Sequence, residues 1–341
     1  MIKYDEIREV HLELSTNCNA SCPLCPRNFG GYPYNAGYPI TQLTLEDIKK
    51  IFEPRFIAQL KILLINGNLG DFMLARDAIF IIEYFRSHNE SLDILISTNG
   101  GSRNKEFWST LAQYRATVMF CLDGLEDTHS IYRRDTKFDT VIKNAKTFIS
   151  AGGIAIWKMI KFKHNEHQID QCRALSKELE FKDFKLIDHG RDSGYVYNRK
   201  GELEYTIGNF PEIPDREFPV TWHEQMSWGK EYVGRKDHYL EPVSEKISCN
   251  TKNNKAVFVT ATGEVYPCCF LGFYPRTYDS DLQFGNDQVK ELLGTTNINA
   301  KEKSFEECIE WFNQVEESWN KNSFQEGRLW LCNHNCGSTC Q

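Results

Sequence analysis

The sequence predicts an α/β protein with a parallel sheet and a smaller α+β region at its carboxyl end. Three observations carry that expectation. Residues 10 to 187 alternate short apolar runs with amphipathic stretches, the pattern of strands that return through helices to lie parallel. The alternation stops between about Asp188 and Lys246, where Gly, Pro, Tyr and charged residues dominate. Beyond that, two short β-type runs precede a helical stretch. At 341 residues the chain exceeds one average domain, and boundaries are expected at 1–187, 188–246 and 247–341.

The elements follow in order. Leu12 and Leu14 alternate as a first strand. Thr44 is placed to cap a helix running to Phe52, with Asp47 three residues on. Lys61 to Ile65 reads as a buried strand, Ala75 to Ser87 as a helix, and Leu92 to Ile96 as a third strand. Further strands are expected at Thr117 to Cys121, Ile154 to Ile160 and Phe184 to Ile187. Helices at Lys105 to Tyr114, Phe138 to Ala151 and Glu166 to Leu179 separate them. Asn209 to Asp215 is irregular, and the long bridging segment is read as an entrance lining or a plain connector. Lys255 to Val259 and Glu264 to Tyr266 read as a hairpin around Thr262-Gly263, and Trp311 to Trp319 as a helix.

Composition narrows the function. A net charge of −7 and the lack of any long basic run argue against a nucleic-acid partner. The amino terminus carries acid where a signal peptide needs an apolar core. No apolar stretch reaches the roughly 18 residues of a membrane span, so no membrane association and a cytoplasmic location are expected. In a reducing compartment, twelve cysteines point to metal rather than to disulfides.

Three of them, Cys18, Cys22 and Cys25, sit at C-x3-C-x2-C spacing directly after the first strand. Three thiolates on one short loop can hold a single iron-sulfur cubane and leave one iron open to a non-protein ligand. Structural zinc usually takes four ligands in paired short spacings, and only His11, upstream on the strand, is near. The C-x3-C-x-φ-C run, with Leu24 at φ, resembles the signature of the radical S-adenosylmethionine (SAM) enzymes. Many members carry an aromatic at φ beside the adenine, so Leu24 is a departure. The resemblance implies a partial (β/α)6 TIM-like barrel, with active residues at strand carboxyl ends. It also implies a 4Fe-4S cluster whose open iron binds SAM, and reductive cleavage of SAM to methionine and a 5′-deoxyadenosyl radical.

The same resemblance suggests where SAM is held. Asn66-Gly67-Asn68, after the second strand, is similar to the family's Gly-Gly-Glu segment without its acid; Asn and Gly are equally generic turn residues. Ser97 and Asn99 end the third strand in Ser-Thr-Asn-Gly, similar to an ending found near the ribose and carboxylate. Cys121-Leu-Asp-Gly through Tyr132-Arg-Arg134 looks like a segment of members with auxiliary clusters. Arg133, preferred over Arg134, is placed to pair with the SAM carboxylate. Cys121 is either a small buried residue or a thiol that returns a hydrogen atom, as a cysteine does in resembling epimerases. Cys172 and Cys308 read as buried hydrophobes.

Cys249, Cys268, Cys332, Cys336 and Cys340, with Cys269, form a later set resembling the twitch or SPASM extension of the family. The seven-cysteine arrangement for two clusters is absent, so one auxiliary 4Fe-4S cluster is implied. Cys249, Cys268, Cys332 and Cys336 are its favoured ligands, the last pair in a short turn ending at Gly337. Cys340 is the substitute, and Cys269 points the other way. Four thiolates also suit zinc.

The implied function is hydrogen-atom abstraction leading to dehydrogenation, with the auxiliary cluster taking or relaying the electron, or to epimerisation. The expected substrates are peptides or sugar-like small molecules. The expected reductant is external, such as a flavodoxin or ferredoxin. The first strand starts so early that no amino-terminal peptide-recognition domain is expected, although a separate partner can supply one. The rival reading is a non-catalytic protein that uses its metal sites structurally.

Overall fold

The computed structural model describes residues 2–28, 30–31, 38–188, 193–208, 243, 246–272 and 280–337. Ten strands are found there: β1 (Glu9–Leu12), β2 (Ile62–Asn66), β3 (Asp93–Thr98), β4 (Thr117–Cys121), β5 (Ile154–Ile160), β6 (Asp183–Ile187), β7 (Ser193–Tyr197), β8 (Leu203–Gly208), β9 (Ala256–Val259) and β10 (Val265–Tyr266). β1 to β6 pair in parallel and in sequential order, as the strand and helix alternation predicts. This is the α/β core of a partial TIM-like barrel.

The period of two along each strand gives the sheet two chemically different faces. One face is apolar. Leu12, Leu63, Ile65, Ile94, Ile96, Val118, Phe120, Trp157 and Met159 share one core with the helices Ala78–His88, Lys105–Ala112 and Phe138–Ser150. Fully burying a side chain such as Phe120 stabilises by roughly 2 kcal/mol. The opposite face, on the alternate positions, carries His11, Asn66, Ser97, Cys121, Lys158 and Lys185. It is the face available for chemistry.

Thr44 caps Leu45–Ile51 by the predicted reciprocal box: its Oγ1 accepts from Asp47 N at 3.1 Å, and Asp47 Oδ2 accepts from Thr44 N at 2.9 Å. A helix at Pro54–Gln59 was not foreseen; Pro54 at its first turn suits that position.

Two findings differ from expectation. The carboxyl-terminal hairpin does not stand apart. β9 pairs in parallel with β1, from Glu9 opposite Ala256 to Leu12 opposite Val259, and β10 continues antiparallel, making one eight-stranded sheet. β1 would otherwise present an unpaired edge, and all four residues of β9 are buried. The bridging segment is not uniformly irregular either. β7 and β8 form an antiparallel hairpin whose Val196 and Ile207 pack with Ala20, Cys22, Tyr132 and Phe162. Asn209 to Asp215 lies outside the described residues.

Candidate active site

The cysteine loop leaves β1 at the carboxyl end of the sheet and is tied down along its length. Thr16 N donates to Thr41 O at 3.0 Å and Thr16 Oγ1 to Pro39 O at 2.8 Å. Arg27 bonds the Thr16 carbonyl, and Leu69 O at 3.2 Å. Tight turns shape the middle, with Cys25 N donating to Cys22 O at 3.1 Å and Asn28 N to Cys25 O at 2.8 Å. Cys22 is buried and Cys18 and Cys25 are half-buried.

The sulfur atoms face donors. Cys18 Sγ accepts from Ala20 N at 3.4 Å and from Asn99 Nδ2 at 3.6 Å, and Cys22 Sγ accepts from Arg133 Nη1 at 3.8 Å. Burial, then the charges of Asp71 and Cys22, push the Cys18 thiol upward, so thiolate there calls for a compensating cation. Each thiolate of a cubane takes a different iron, so its ligands need not converge on one point as for a single ion. Among the described residues no three His, Cys, Asp or Glu side chains converge in that way. The donor set of three thiols with N–H groups aimed at sulfur fits an iron-sulfur cluster.

The segment after β2 is clamped against this loop. A Cβ on Gly70 would lie 1.8 Å from Ser15 O, and one on Gly67 would lie 1.8 Å from Gly70 O, so only glycine fits at either place. Glu13 Oε1 accepts from Leu69 N at 2.6 Å and Gly70 N at 3.2 Å. Burial raises its carboxyl to about 7 against the lowering effect of those amides. Asn66 spends its carbonyl on His11 Nε2 at 2.7 Å. Asn99 is held through its own N–H to Asp71 Oδ2 at 2.7 Å, and its side chain spans to Asn19 Oδ1 at 3.0 Å as well as to Cys18. Ser97 is buried on the inner face two residues earlier. Leu24 packs under the hairpin, where a Cβ on Gly194 would approach its Cδ2 to 2.5 Å.

The two arginines separate. Arg133 Nε donates to the fully buried Asp123 at 2.5 Å, and its guanidinium lies over the Tyr132 ring at 5.1 Å. Arg134 turns away to the hairpin, bonding Tyr197 O at 2.6 Å and Glu204 at 3.1 Å. Burial pulls the Arg133 guanidinium down, but Asp123, then Cys22 and the buried Cys121, hold it well above the usual arginine range. His129 is structural: its Nδ1 accepts from Asp123 N at 3.3 Å, so Nε2 carries the proton toward Thr136 Oγ1 at 3.0 Å. Burial lowers it to about 4.

A second cysteine group gathers below β9. Cys249, Cys268, Cys332 and Cys336 line one pocket with Phe270, Phe312 and Trp319. Cys332 and Cys336 lie on the helix Trp330–Cys336, not in the expected turn; their C-x3-C spacing is itself helical and puts both on one face. Ser248 N donates to Cys336 O at 2.8 Å and brings Cys249 alongside. A hydrogen bond between the two thiols lowers Cys249 and raises Cys336. Burial pushes Cys332 up to about 12. The buried Trp319 indole N–H reaches no nitrogen or oxygen acceptor among the described residues, and beside Cys332 it favours the thiolate. Four thiols with an indole N–H turned toward one of their sulfurs fit an iron-sulfur cluster. Cys269 sits apart, hydrogen-bonded to Asn68 and near Glu13. Cys172 and Cys308 are core residues, and Cys340 lies outside the described residues.

Residues 12–171 match the family model of the radical SAM superfamily. This stretch, just under half of the chain, is a radical SAM domain, and members of that superfamily use a 4Fe-4S cluster and SAM. The fold agrees. It resembles Streptococcus suis SuiB bound to the precursor peptide SuiA (TM-score 0.55, 14% identity, covering 96% of this chain and 70% of that one). It also resembles anSMEcpe with bound AdoMet (TM-score 0.53, 15% identity, 94% and 88%) and SuiB bound to S-adenosylmethionine (TM-score 0.51, 14% identity, 82% and 67%). At these identities the likeness is one of fold. No curated protein matches the sequence. No helix among the described residues is long and apolar enough to cross a membrane.

Glu13, Asp71 and Asp123 were missed from sequence. Each is a buried carboxylate that braces a site segment through backbone or guanidinium hydrogen bonds. For Glu13 and Asp123 the available signal was acid just past the carboxyl end of a strand; Asp71 instead caps the turn Phe72–Leu74.

Proposed function

We propose that this protein abstracts a hydrogen atom from a peptide or a small sugar-like molecule and completes its oxidation or epimerisation. A second 4Fe-4S cluster is assigned to Cys249, Cys268, Cys332 and Cys336, and the electron source to a flavodoxin or ferredoxin. The observation that carries the reading is the aim of Asn99, just after β3, and Arg133, at the end of the short helix His129–Tyr132 that follows β4, at the sulfurs of Cys18 and Cys22.

When bound, the clusters and SAM supply the redox chemistry and the 5′-deoxyadenosyl radical. The chain supplies placement. Cys18, Cys22 and Cys25 hold the first cluster. Of the loop Asn66 to Asn68, kept in position by Glu13, Gly67 and Asn68 offer backbone oxygens to the SAM amino group, while Asn66 ties its carbonyl to His11. Ser97 and Asn99 offer hydroxyl and amide, and Leu24 an apolar wall. Arg133, oriented by Asp123, keeps guanidinium donors for a carboxylate. Cys121 lies on the inner face close to Arg133, where its thiol can return a hydrogen atom in an epimerisation. β7 and β8 cover the cysteine loop and limit water there.

SuiB bound to the precursor peptide SuiA and anSMEcpe with bound Cp18Cys peptide support a peptide substrate. The test is anaerobic turnover in deuterated water with peptide and metabolite pools. Loss of two hydrogens marks oxidation, and gain of one solvent deuterium at unchanged composition marks epimerisation. A product with neither signature contradicts both.

A further inference from the structure

The register of the last three barrel strands sets Cys121, Lys158 and Lys185 side by side in one rung. Trp157 and Met159 point into the helix-side core, so Lys158 points to the inner face; Ile160, two residues on, packs there with Cys22 and Tyr132. Neighbouring strands are about 4.8 Å apart, so two ammonium groups start from adjacent backbones on that face and repel. Their acidic neighbours are committed elsewhere. Asp123 is paired with Arg133, Asp188 with Lys161, and Glu13 with the Leu69 and Gly70 amides. Asp183 Oδ1 accepts from Phe184 N at 2.8 Å. Among the described residues neither lysine makes an ion pair. Edge protection explains a lysine on β6 but not Lys158, whose strand is paired on both sides.

We propose that Lys158 and Lys185 together bind an anionic group of the substrate, a carboxylate or a phosphate, and so anchor it one strand away from Cys121. The proposal deepens the radical SAM reading and rests on it for the word substrate. An anion between the two ammonium groups removes their repulsion and forms charge-assisted hydrogen bonds with both. Held there, the neighbouring carbon atoms lie over the end of β4, where the thiol and Arg133 are.

The test uses the reconstituted, SAM-bound protein and an amine-reactive succinimidyl ester, with labelling of each lysine read by mass spectrometry. The probes are sodium phosphate and sodium acetate against sodium chloride at matched ionic strength. Protection of Lys158 and Lys185 at least threefold, with a shared midpoint and none at the exposed Lys105 and Lys146, is the expected result. In Lys158→Gln, the protection of Lys185 is lost. Protection by phosphate alone assigns a phosphate, and by acetate a carboxylate. Protection no greater than at Lys105 and Lys146, or retained at Lys185 in Lys158→Gln, overturns the anion site. Formation of 5′-deoxyadenosine by the same wild-type preparation reports separately on the radical SAM reading.

Discussion

Arg133 Nε lies 2.5 Å from Asp123 Oδ2, a carboxylate with no exposed surface, while Nη1 of the same guanidinium reaches Cys22 Sγ at 3.8 Å. Strand β4 thus holds a cation against the cysteine loop. Asp123→Asn leaves that cation buried without its counter-charge, a change that costs about 3 to 5 kcal/mol. Urea unfolding of the anaerobic protein checks the loss. An effect below about 1 kcal/mol would mean that solvent already satisfies Arg133.

Arg134 predicts a different phenotype. Its bonds go to Tyr197 O and Glu204, so Arg134→Ala loosens β7 and β8 while costing only about 1 kcal/mol globally. Hydrogen exchange should rise across 193–208 and stay unchanged at β4. Equal exchange in both proteins would show that the apolar contacts of Val196 and Ile207 suffice.

Gly70 has no room for a methyl group, because the obstacle is the Ser15 carbonyl and not a flexible side chain. Gly70→Ala is expected to cost about 3 kcal/mol and to weaken SAM binding by moving the Asn66 to Asn68 loop. Calorimetric SAM titration of the variant checks this. Unchanged affinity would detach that loop from SAM.

Two buried groups pull the pH dependence of stability in opposite senses. Glu13 has its folded value raised to about 7, so ionising it opposes folding; its penalty grows from about pH 4.5 to about 7, reaching about 3 kcal/mol. His129 has its folded value lowered to about 4; its contribution is whole above about pH 6.5 and is lost as pH falls to about 4, again about 3 kcal/mol. In wild type the two partly cancel near pH 5 to 6. Glu13→Gln keeps an acceptor for Leu69 N and Gly70 N but cannot ionise, so its stability should rise relative to wild type as pH increases. Parallel curves for the two proteins would contradict the burial of a protonatable Glu13.

The order of β1 to β6 and the Thr44 cap were legible because each rests on local periodicity or spacing, whereas the grouping of Cys249, Cys268, Cys332 and Cys336 about one pocket followed from the resemblance to the twitch extension. β7 and β8 were less so. Their Tyr-rich run hid an alternation around the turn at Asn198 to Gly201, although aromatic residues suit strands. The pairing of β9 with β1 joins residues some 250 positions apart, and no local pattern reports such a contact. Glu13, Asp71 and Asp123 escaped for a related reason: a carboxylate reads as surface charge until the fold shows which amides it meets.

The cysteine loop as the seat of SAM cleavage is tested most directly by 5′-deoxyadenosine formation from SAM in anaerobically reconstituted, reduced protein. Wild type should carry about eight irons per chain, as two four-iron clusters, and produce 5′-deoxyadenosine. Replacing Cys18, Cys22 and Cys25 by Ala should leave about four irons and no product. Replacing Cys249, Cys268, Cys332 and Cys336 should leave about four irons and retain part of the cleavage. A fully loaded, reduced wild type that forms none, or an Ala triple variant that forms as much as wild type, contradicts the account.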